Sequence, residues 1–236
     1  MSIQFFGTLG RDGTRIRLPG NYRGSSRWTP HIGDVFPDFT AMTTHGPLDF
    51  RSFAQGQWVY LFSHPAAFTP VCTTEVAEVA RCVNAFERRG VKVLSISRDT
   101  LEQLENWSNE ISDDFGHDIG FPMAADPDGI LIRACNMLHP GEHDSQPIRK
   151  SFIIDAERRV RMIFEYPVQV GRSVEESLRV IDALRESDRR NVAIPCEWRP
   201  GDPVLLPAEM RDAEANLRFG SGSWTRMRSY LRVLNR

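Results

Sequence analysis

The chain has 236 residues, of which 41% are hydrophobic and 25% charged, a composition typical of a globular protein with a sizeable core. Its net charge of −2 offers no overall electrostatic basis for binding nucleic acid or an anionic membrane. No apolar run approaches the roughly 18 residues that span a bilayer. The 4 cysteines are too few and too scattered for a disulfide framework, so we expect a soluble protein of a reducing compartment, by default the cytoplasm.

The N-terminal segment, residues 1–30, differs from the rest in composition. It contains five glycines and five arginines against a single acidic residue, Asp12. The segment lacks the apolar core of a secretory signal, and we interpret it as an arm that packs on the body or on a neighbour. Since transit peptides are also rich in arginine and poor in acids, mitochondrial targeting stays open as the alternative.

Strand and helix patterns alternate through the body of the chain. Short apolar runs rich in β-forming residues predict buried strands, and apolar residues every three or four positions predict helices. In chain order we predict a strand at 58–62, a helix at 73–89, a strand at 91–97, helices at 101–111 and 130–138, a hairpin of strands 151–154 and 160–166, and a helix at 173–189. Such alternation predicts an α/β fold with a central mixed sheet flanked by helices.

A change of composition marks the end of the body. Beyond Asn191 the chain becomes rich in proline, which indicates a smaller C-terminal appendage. The predicted organisation is therefore an N-terminal arm (1–30), a main α/β domain (31–190) and a C-terminal domain (191–236).

The most informative segment for function runs from Phe62 to Glu75. A strand ends there, a proline-containing loop follows, and Cys72 lies where the first helical turn should begin. Unpaired N–H groups and the helix dipole favour an anion at that point, and cysteines so placed ionise readily. Thr69 lies close enough to hydrogen-bond the sulfur or a bound substrate oxygen, and Glu75 is expected to favour the first turn and brace the loop. The segment predicts a reactive thiolate.

The same segment resembles a known family. Pro65, Thr69 and Cys72 match the Pro-x-x-x-Thr-x-x-Cys signature of peroxiredoxins, and the flanking residues are similar to the one-cysteine subgroup. The resemblance extends from about Ile32 to the C-terminus. Further matching segments are Ile148-Arg149, Tyr166-Pro167, Gly171-Arg172, Leu178-Arg179, Val192-Ala193-Ile194-Pro195, Trp198 and Gly201-Asp202.

The resemblance implies a thioredoxin-like fold and a thiol-dependent peroxidase that reduces hydrogen peroxide and organic hydroperoxides. The Cys72 thiolate would attack the terminal peroxide oxygen and become a sulfenic acid. Arg149 would stabilise the thiolate and orient the peroxide, while Thr69 bonds the peroxide oxygens or the sulfur. Pro65 would shield the pocket from water.

The resemblance also assigns supporting roles and partners. Arg172 would brace the site or contact Glu75, and His64 would either assist proton handling or satisfy a loop carbonyl. An external thiol, from glutathione or a thioredoxin-like system, would serve as reductant, with no cofactor and no metal. The family further implies a homodimer, and rings of dimers as a larger assembly, with the C-terminal domain reaching over the partner's active site.

Two alternatives to a one-cysteine peroxidase stay open, and one of them depends on the other cysteines. Cys82 and Cys135 lie in predicted helices among apolar residues and are interpreted as packing residues. Cys196 lies at the entry to the C-terminal domain, where it would resolve the sulfenic acid in a two-cysteine peroxidase. A peroxide sensor or chaperone-like protein is the alternative from another functional class.

Two other functions are disfavoured by spacing. Cys135, His139 and His143 have metal-ligand residue types, but Pro140 and Gly141 interrupt a shared helical face and a fourth local ligand is missing. The phospholipase serine of some one-cysteine peroxiredoxins would fall at Gln57, so that activity is not expected.

Overall fold

The computed structural model describes residues 15–17 and 29–235. The predicted arm therefore lies outside the described residues, except for residues 29–30 and a short strand, β1 (Arg15–Arg17). This strand pairs antiparallel with β2 (Asp38–Thr43). The chain divides into two compact units, one ending at Val174 and the other beginning at Glu175.

The first unit contains most of the regular structure. Its further elements are β3 (Gly46–Asp49), α1 (Phe50–Phe53), β4 (Trp58–Ser63), α2 (Pro70–Arg81), α3 (Val83–Glu87), β5 (Val91–Ser97), α4 (Leu101–Phe115), β6 (Met123–Ala125), α5 (Ile130–Ala134), β7 (Arg149–Ile154) and β8 (Val160–Tyr166). Helix α6 (Val174–Arg190) begins at Val174, the last residue of the first unit.

The large sheet has the strand order β1-β2-β6-β5-β4-β7-β8, with β3 paired to β2. Strands β4, β5 and β6 are parallel neighbours, whereas β7 pairs antiparallel with β4, and β8 antiparallel with β7. This arrangement confirms the predicted α/β fold with a central mixed sheet. Because β4 lies inside the sheet, the loop that follows it emerges between β5 and β7.

Strand β4 is buried on both faces, which is why its sequence is continuously apolar. Val59 and Leu61 join a core cluster that includes Phe36, Phe50 and Phe152. The alternate residues face the other side. There Tyr60 stacks on Phe86, and Phe62 packs edge-on against Phe121; the ring centroids lie 5.2 and 5.8 Å apart.

The strand predictions are accurate, whereas the helix bounds need correction. The predicted helix 73–89 is two helices, since α2 starts earlier, at Pro70, and a break at Cys82 separates it from α3. Proline is well suited to the first helical position, where its missing N–H costs nothing. Helix α4 extends to Phe115, where Gly116 adopts a left-handed cap, and α5 is shorter than predicted. Strands β2, β3 and β6 were not predicted.

The second unit has its own small core. Besides α6 it contains α7 (Asp212–Phe219) and a three-stranded sheet in the order β10 (Trp224–Arg226), β11 (Arg232–Leu234) and β9 (Val204–Leu205). The buried cluster of this unit consists of Val192, Trp198, Val204, Leu206, Met210, Ala215 and Leu234. Over the described ranges, no helix combines the length and apolar character that crossing a membrane requires.

Candidate active site

Cys72 lies in the first turn of α2, as the sequence predicts. It is the third residue of the helix, counted from Pro70 as the first, and it is fully buried. Thr69 is the N-cap residue in an extended conformation and forms no side-chain cap bond. The sulfur therefore lies at the positive end of the helix dipole, next to backbone N–H groups that the helix leaves unpaired.

Arg149, at the start of β7, reaches the sulfur from the strand that neighbours β4. Its Nη1 lies 3.3 Å from Cys72 Sγ and donates to Glu75 Oε2 at 2.7 Å. The opposite edge of the guanidinium donates to the carbonyl oxygen of Val168, from Nε at 2.9 Å and from Nη2 at 2.6 Å. Both edges of a side chain that is only 2% exposed are thus held in place.

Glu75 bridges the two arginines that the sequence associates with the site. Its Oε1 accepts from the backbone N–H and Nε of Arg172, and its Oε2 accepts from Arg172 Nη2. Burial tends to raise the pKa of Glu75, but the charge and hydrogen bonds of Arg172 and the charge of Arg149 outweigh it and lower the pKa. The expectation that Glu75 acts in the first helical turn is wrong, since it lies one turn further on and its carboxylate contacts arginines.

Arg172 is also anchored to the sheet. Its Nη1 donates to Ser151 Oγ at 3.2 Å and to the carbonyl of Lys150 at 3.3 Å. Its guanidinium carbon lies 5.1 Å from the ring centroid of Phe62, a cation–π distance. Arg172 therefore fixes Glu75 relative to strands β4 and β7.

His64 directly follows β4 and is completely buried. Neither ring nitrogen has a hydrogen-bond partner among the described residues, so the prediction that it satisfies a loop carbonyl is wrong. The ring packs against Trp107 at a centroid distance of 5.1 Å. Burial, with the positive charges of Arg172 and Arg149, lowers the pKa of His64 from 6.5 to about 3. The imidazole is therefore neutral at physiological pH.

This burial predicts a pH dependence of stability. Below pH 6.5 the unfolded chain protonates at His64 and the folded chain does not, until the pH reaches about 3. The stabilising contribution is complete above pH 6.5, and about 1.4 kcal/mol should be lost per pH unit as the pH falls through this window. We expect urea unfolding of His64→Phe to show a correspondingly shallower acid dependence than wild type.

The control for this prediction is the exposed His45. His45→Gln should follow the wild-type pH profile. Parallel profiles of wild type and His64→Phe between pH 6.5 and 4 would contradict the assignment of a neutral buried imidazole.

Thr69 and Pro65 lie in the loop that leads to Cys72. The Thr69 hydroxyl donates to the carbonyl of Ala66 at 2.8 Å and forms no hydrogen bond with the sulfur among the described contacts. Its carbonyl accepts from the Thr73 hydroxyl at 2.9 Å, which closes the first turn. Pro65 is buried beside His64. The loop is thus held by its own hydrogen bonds, and the hydroxyl oxygen of Thr69 can still accept a hydrogen bond from a substrate.

Two side chains that position this loop were not predicted. Asp99 accepts from the backbone N–H of Ala67 at 2.9 Å and from the Ser97 hydroxyl at 2.6 Å. Trp107 Nε1 donates to the Thr73 hydroxyl at 3.2 Å. The position of Asp99 just beyond β5 was an available signal, because the carboxyl ends of the parallel strands β4 and β5 lie at the same edge of the sheet.

The other cysteines differ from Cys72 in their surroundings. Cys82 is half-buried at the junction of α2 and α3, and burial and the charge of Glu78 raise its pKa. Cys135 is fully buried, which raises its pKa strongly. Cys196 is exposed and belongs to the second unit. No group of three or more histidine, cysteine or acidic side chains arranged for a metal ion exists in the described part of the chain.

The fold and the site together define a thiol enzyme of the thioredoxin-like class, with its cysteine at a helix N-terminus. The AhpC/TSA family model matches residues 32–163, and the C-terminal domain of 1-Cys peroxiredoxin matches residues 183–222. The chain belongs to the AhpC/TSA family and, within it, to the one-cysteine peroxiredoxins, which are thiol-dependent peroxidases. The resemblance that the sequence shows is therefore confirmed.

Individual relatives agree with this assignment. A 1-Cys peroxiredoxin B from Oryza sativa subsp. japonica is 41% identical over 196 residues, which cover 81% of this chain and 89% of that protein. The structure of a yeast mitochondrial 1-Cys peroxiredoxin matches with a TM-score of 0.81 at 35% identity, over 87% of this chain and 99% of that one. A mutant of peroxiredoxin 6 from Arenicola marina gives 0.81 at 33% identity, over 87% of this chain and 97% of that chain.

Proposed function

We propose that Cys72 is the nucleophile that reduces hydrogen peroxide and organic hydroperoxides. The charge balance of the buried cluster carries the proposal. Arg149 and Arg172 contribute two positive charges, Glu75 contributes one negative charge, and all three side chains are at most 4% exposed. A buried cluster with one uncompensated positive charge next to Sγ favours the thiolate, because the thiolate neutralises it.

The reaction follows from this arrangement. The Cys72 thiolate attacks the terminal peroxide oxygen, a sulfur–oxygen bond forms and the oxygen–oxygen bond breaks. The sulfur is oxidised to sulfenic acid, and the other oxygen leaves as water or alcohol after taking a proton. Arg149 Nη1, already within 3.3 Å of the sulfur, donates to the charge that develops on the oxygens.

The remaining residues support this chemistry. We assign Thr69 to accept a hydrogen bond from the peroxide and Pro65 to keep water out of the loop. Glu75 and Arg172 fix Arg149 relative to the sheet. His64 contributes a neutral ring packed on Trp107. With its pKa lowered to about 3, the ring adds no charge to the pocket and can accept a hydrogen bond, but not a proton, at neutral pH.

An external thiol then regenerates Cys72 in a one-cysteine cycle. Cys135 is buried and Cys82 ionises poorly, so neither is suited to attack a sulfenic acid. The yeast mitochondrial relative is described as resolved through glutathione and thioredoxin systems, and we propose the same class of reductant for this chain. Resolution by the exposed Cys196 is the competing mechanism.

We also propose a homodimer in which residues 191–236 form a dimerisation domain over the partner's site. For the location of the protein we propose the cytoplasm, with the mitochondrion as the alternative. The C-terminal family match at 183–222 supports a distinct domain in this part of the chain. Light scattering should give twice the chain mass of 26.9 kDa; a ring of dimers would give a larger multiple. A monomer would contradict the assembly without affecting the proposed chemistry.

The test of the one-cysteine cycle is intact mass after one equivalent of hydrogen peroxide, with a sulfenic-acid trap. We expect a single trapped sulfenate in wild type and an equal yield in Cys196→Ser. A disulfide that forms in wild type and disappears in Cys196→Ser would replace the proposal with a two-cysteine mechanism. Stoichiometric oxidation without multiple turnover on any added thiol would instead indicate a peroxide sensor.

A further inference from the structure

The carbonyl that holds Arg149 belongs to a short turn after β8. The Val170 N–H donates to the Pro167 carbonyl at 3.2 Å and closes this turn. A turn closed in this way does not use the backbone groups of its central residues. The Val168 carbonyl is bonded twice to Arg149, and its N–H is bonded to Glu142 Oε1 at 2.7 Å.

The segment that carries Glu142 is itself fixed. The backbone N–H groups of Glu142 and His143 both donate to the His139 carbonyl. His143 Nδ1 accepts from the N–H groups of Ser145 and Gln146, and Arg98 Nη1 donates to the Ser145 carbonyl at 2.9 Å. Although Glu142 is exposed, its carboxylate projects from a loop with defined internal hydrogen bonds.

We propose that Glu142 is a positioning residue for the peroxidase reaction. Its carboxylate holds the N–H of Val168, so that the carbonyl of the same residue meets the Nε and Nη2 edge of Arg149. With that edge fixed, Nη1 is directed at Cys72 Sγ and Glu75. Glu142 contacts neither the sulfur nor the arginine in the described hydrogen bonds and acts through one backbone residue. The inference rests on the proposed roles of Cys72 and Arg149.

Charge and position predict opposite effects of removing Glu142. If its negative charge acted on the site through space, its removal would favour the thiolate and lower the pH at which the thiol ionises. If it acts by position, its loss lets Val168 and Arg149 move, and the thiolate loses stabilisation. A hydrogen bond to a carboxylate at an exposed site contributes on the order of 1 kcal/mol, or about fivefold in rate.

The experiment compares Glu142→Ala, which removes the acceptor, with Glu142→Gln, which keeps an acceptor oxygen and removes the charge. Asp144→Ala removes an exposed carboxylate from the same loop and is the control. We expect Glu142→Ala to slow stoichiometric peroxide reduction about fivefold and to raise the pH midpoint of ultraviolet thiolate absorbance. The rate of Glu142→Gln should stay within about twofold of wild type, and the rate and midpoint of the control Asp144→Ala should equal those of wild type.

A double-mutant cycle with Arg149→Met separates this inference from the proposed function. Arg149→Met alone should slow the reaction about 10²-fold, and Glu142→Ala should then add nothing. If Arg149→Met is harmless, the proposed function fails. If Arg149→Met slows the reaction but Glu142→Ala has the same effect in wild type and in Arg149→Met, only the role of Glu142 is refuted. The same holds if Glu142→Ala leaves the rate and the midpoint of the wild-type protein unchanged. Equal lowering of the midpoint by Glu142→Ala and Glu142→Gln also refutes it.

Discussion

Cys72→Ser is expected to lose at least about 10³-fold in the rate of peroxide reduction while keeping the fold. A serine hydroxyl does not ionise at neutral pH, so the buried positive charge near Arg149 has no thiolate to stabilise. The change replaces sulfur by oxygen at a fully buried position and removes little volume. The measurement is stopped-flow consumption of hydrogen peroxide with a saturating external thiol, together with a thermal unfolding curve.

Cys82→Ser is the matched control, because this cysteine ends the same helix but has a pKa raised by burial and by Glu78. It should retain the wild-type rate. Full activity of Cys72→Ser would refute the assigned nucleophile, whereas loss of activity with an unfolded protein would be separated from loss of chemistry by the unfolding curve. If Cys82→Ser also lost its peroxide reduction while staying folded, the reacting site would not be the one assigned to Cys72.

Glu75→Gln is expected to destabilise the protein by about 3–5 kcal/mol, because it leaves two buried guanidinium groups without their common carboxylate. Within the described part of the chain, its two oxygens accept four hydrogen bonds from Arg149 and Arg172, and both arginine side chains are nearly inaccessible to water. Equilibrium urea unfolding at neutral pH gives the free-energy difference.

The control for Glu75 lies one helical turn further along α2. Glu78 accepts two hydrogen bonds from Arg81, at 2.7 and 2.6 Å, but it is 43% exposed and its partner is 58% exposed. Glu78→Gln should therefore cost at most about 0.5 kcal/mol. Equal losses for the two variants would show that burial does not determine the strength of the Glu75 bridge.

The pH dependence provides a further check on Glu75. Its pKa is lowered in the folded protein, so its stabilising contribution is present above the usual value of 4.5 and is lost as the pH falls through the lower folded value. The difference in stability between wild type and Glu75→Gln should narrow only in acid below pH 4.5. A difference that is constant throughout this acid range would exclude a contribution from the ionised carboxylate.

The strands that carry the site are predictable from local patterns. The apolar run at 58–62 and the two strands of the predicted hairpin, 151–154 and 160–166, match β4, β7 and β8. The run at 58–62 is continuously apolar because β4 is an interior strand, buried on both faces. The helix break at Cys82 is not predictable, since residues 73–89 maintain an apolar helical face through it. The small C-terminal sheet is also missed, because strands of two or three residues are too short to show alternation.

By itself, the sequence determined the family and predicted Cys72 as the nucleophile and two arginines as its partners, because each of them lies in a short motif of residue types that matches the family. The tertiary structure alone decided how they are connected. The contact of Arg149 with Cys72 spans 77 positions, and that of Arg172 with Glu75 spans 97. The Val168 carbonyl that orients Arg149 is a backbone group present in every residue type, so no sequence pattern marks it. Such contacts arise only when folding brings distant segments to one edge of the sheet.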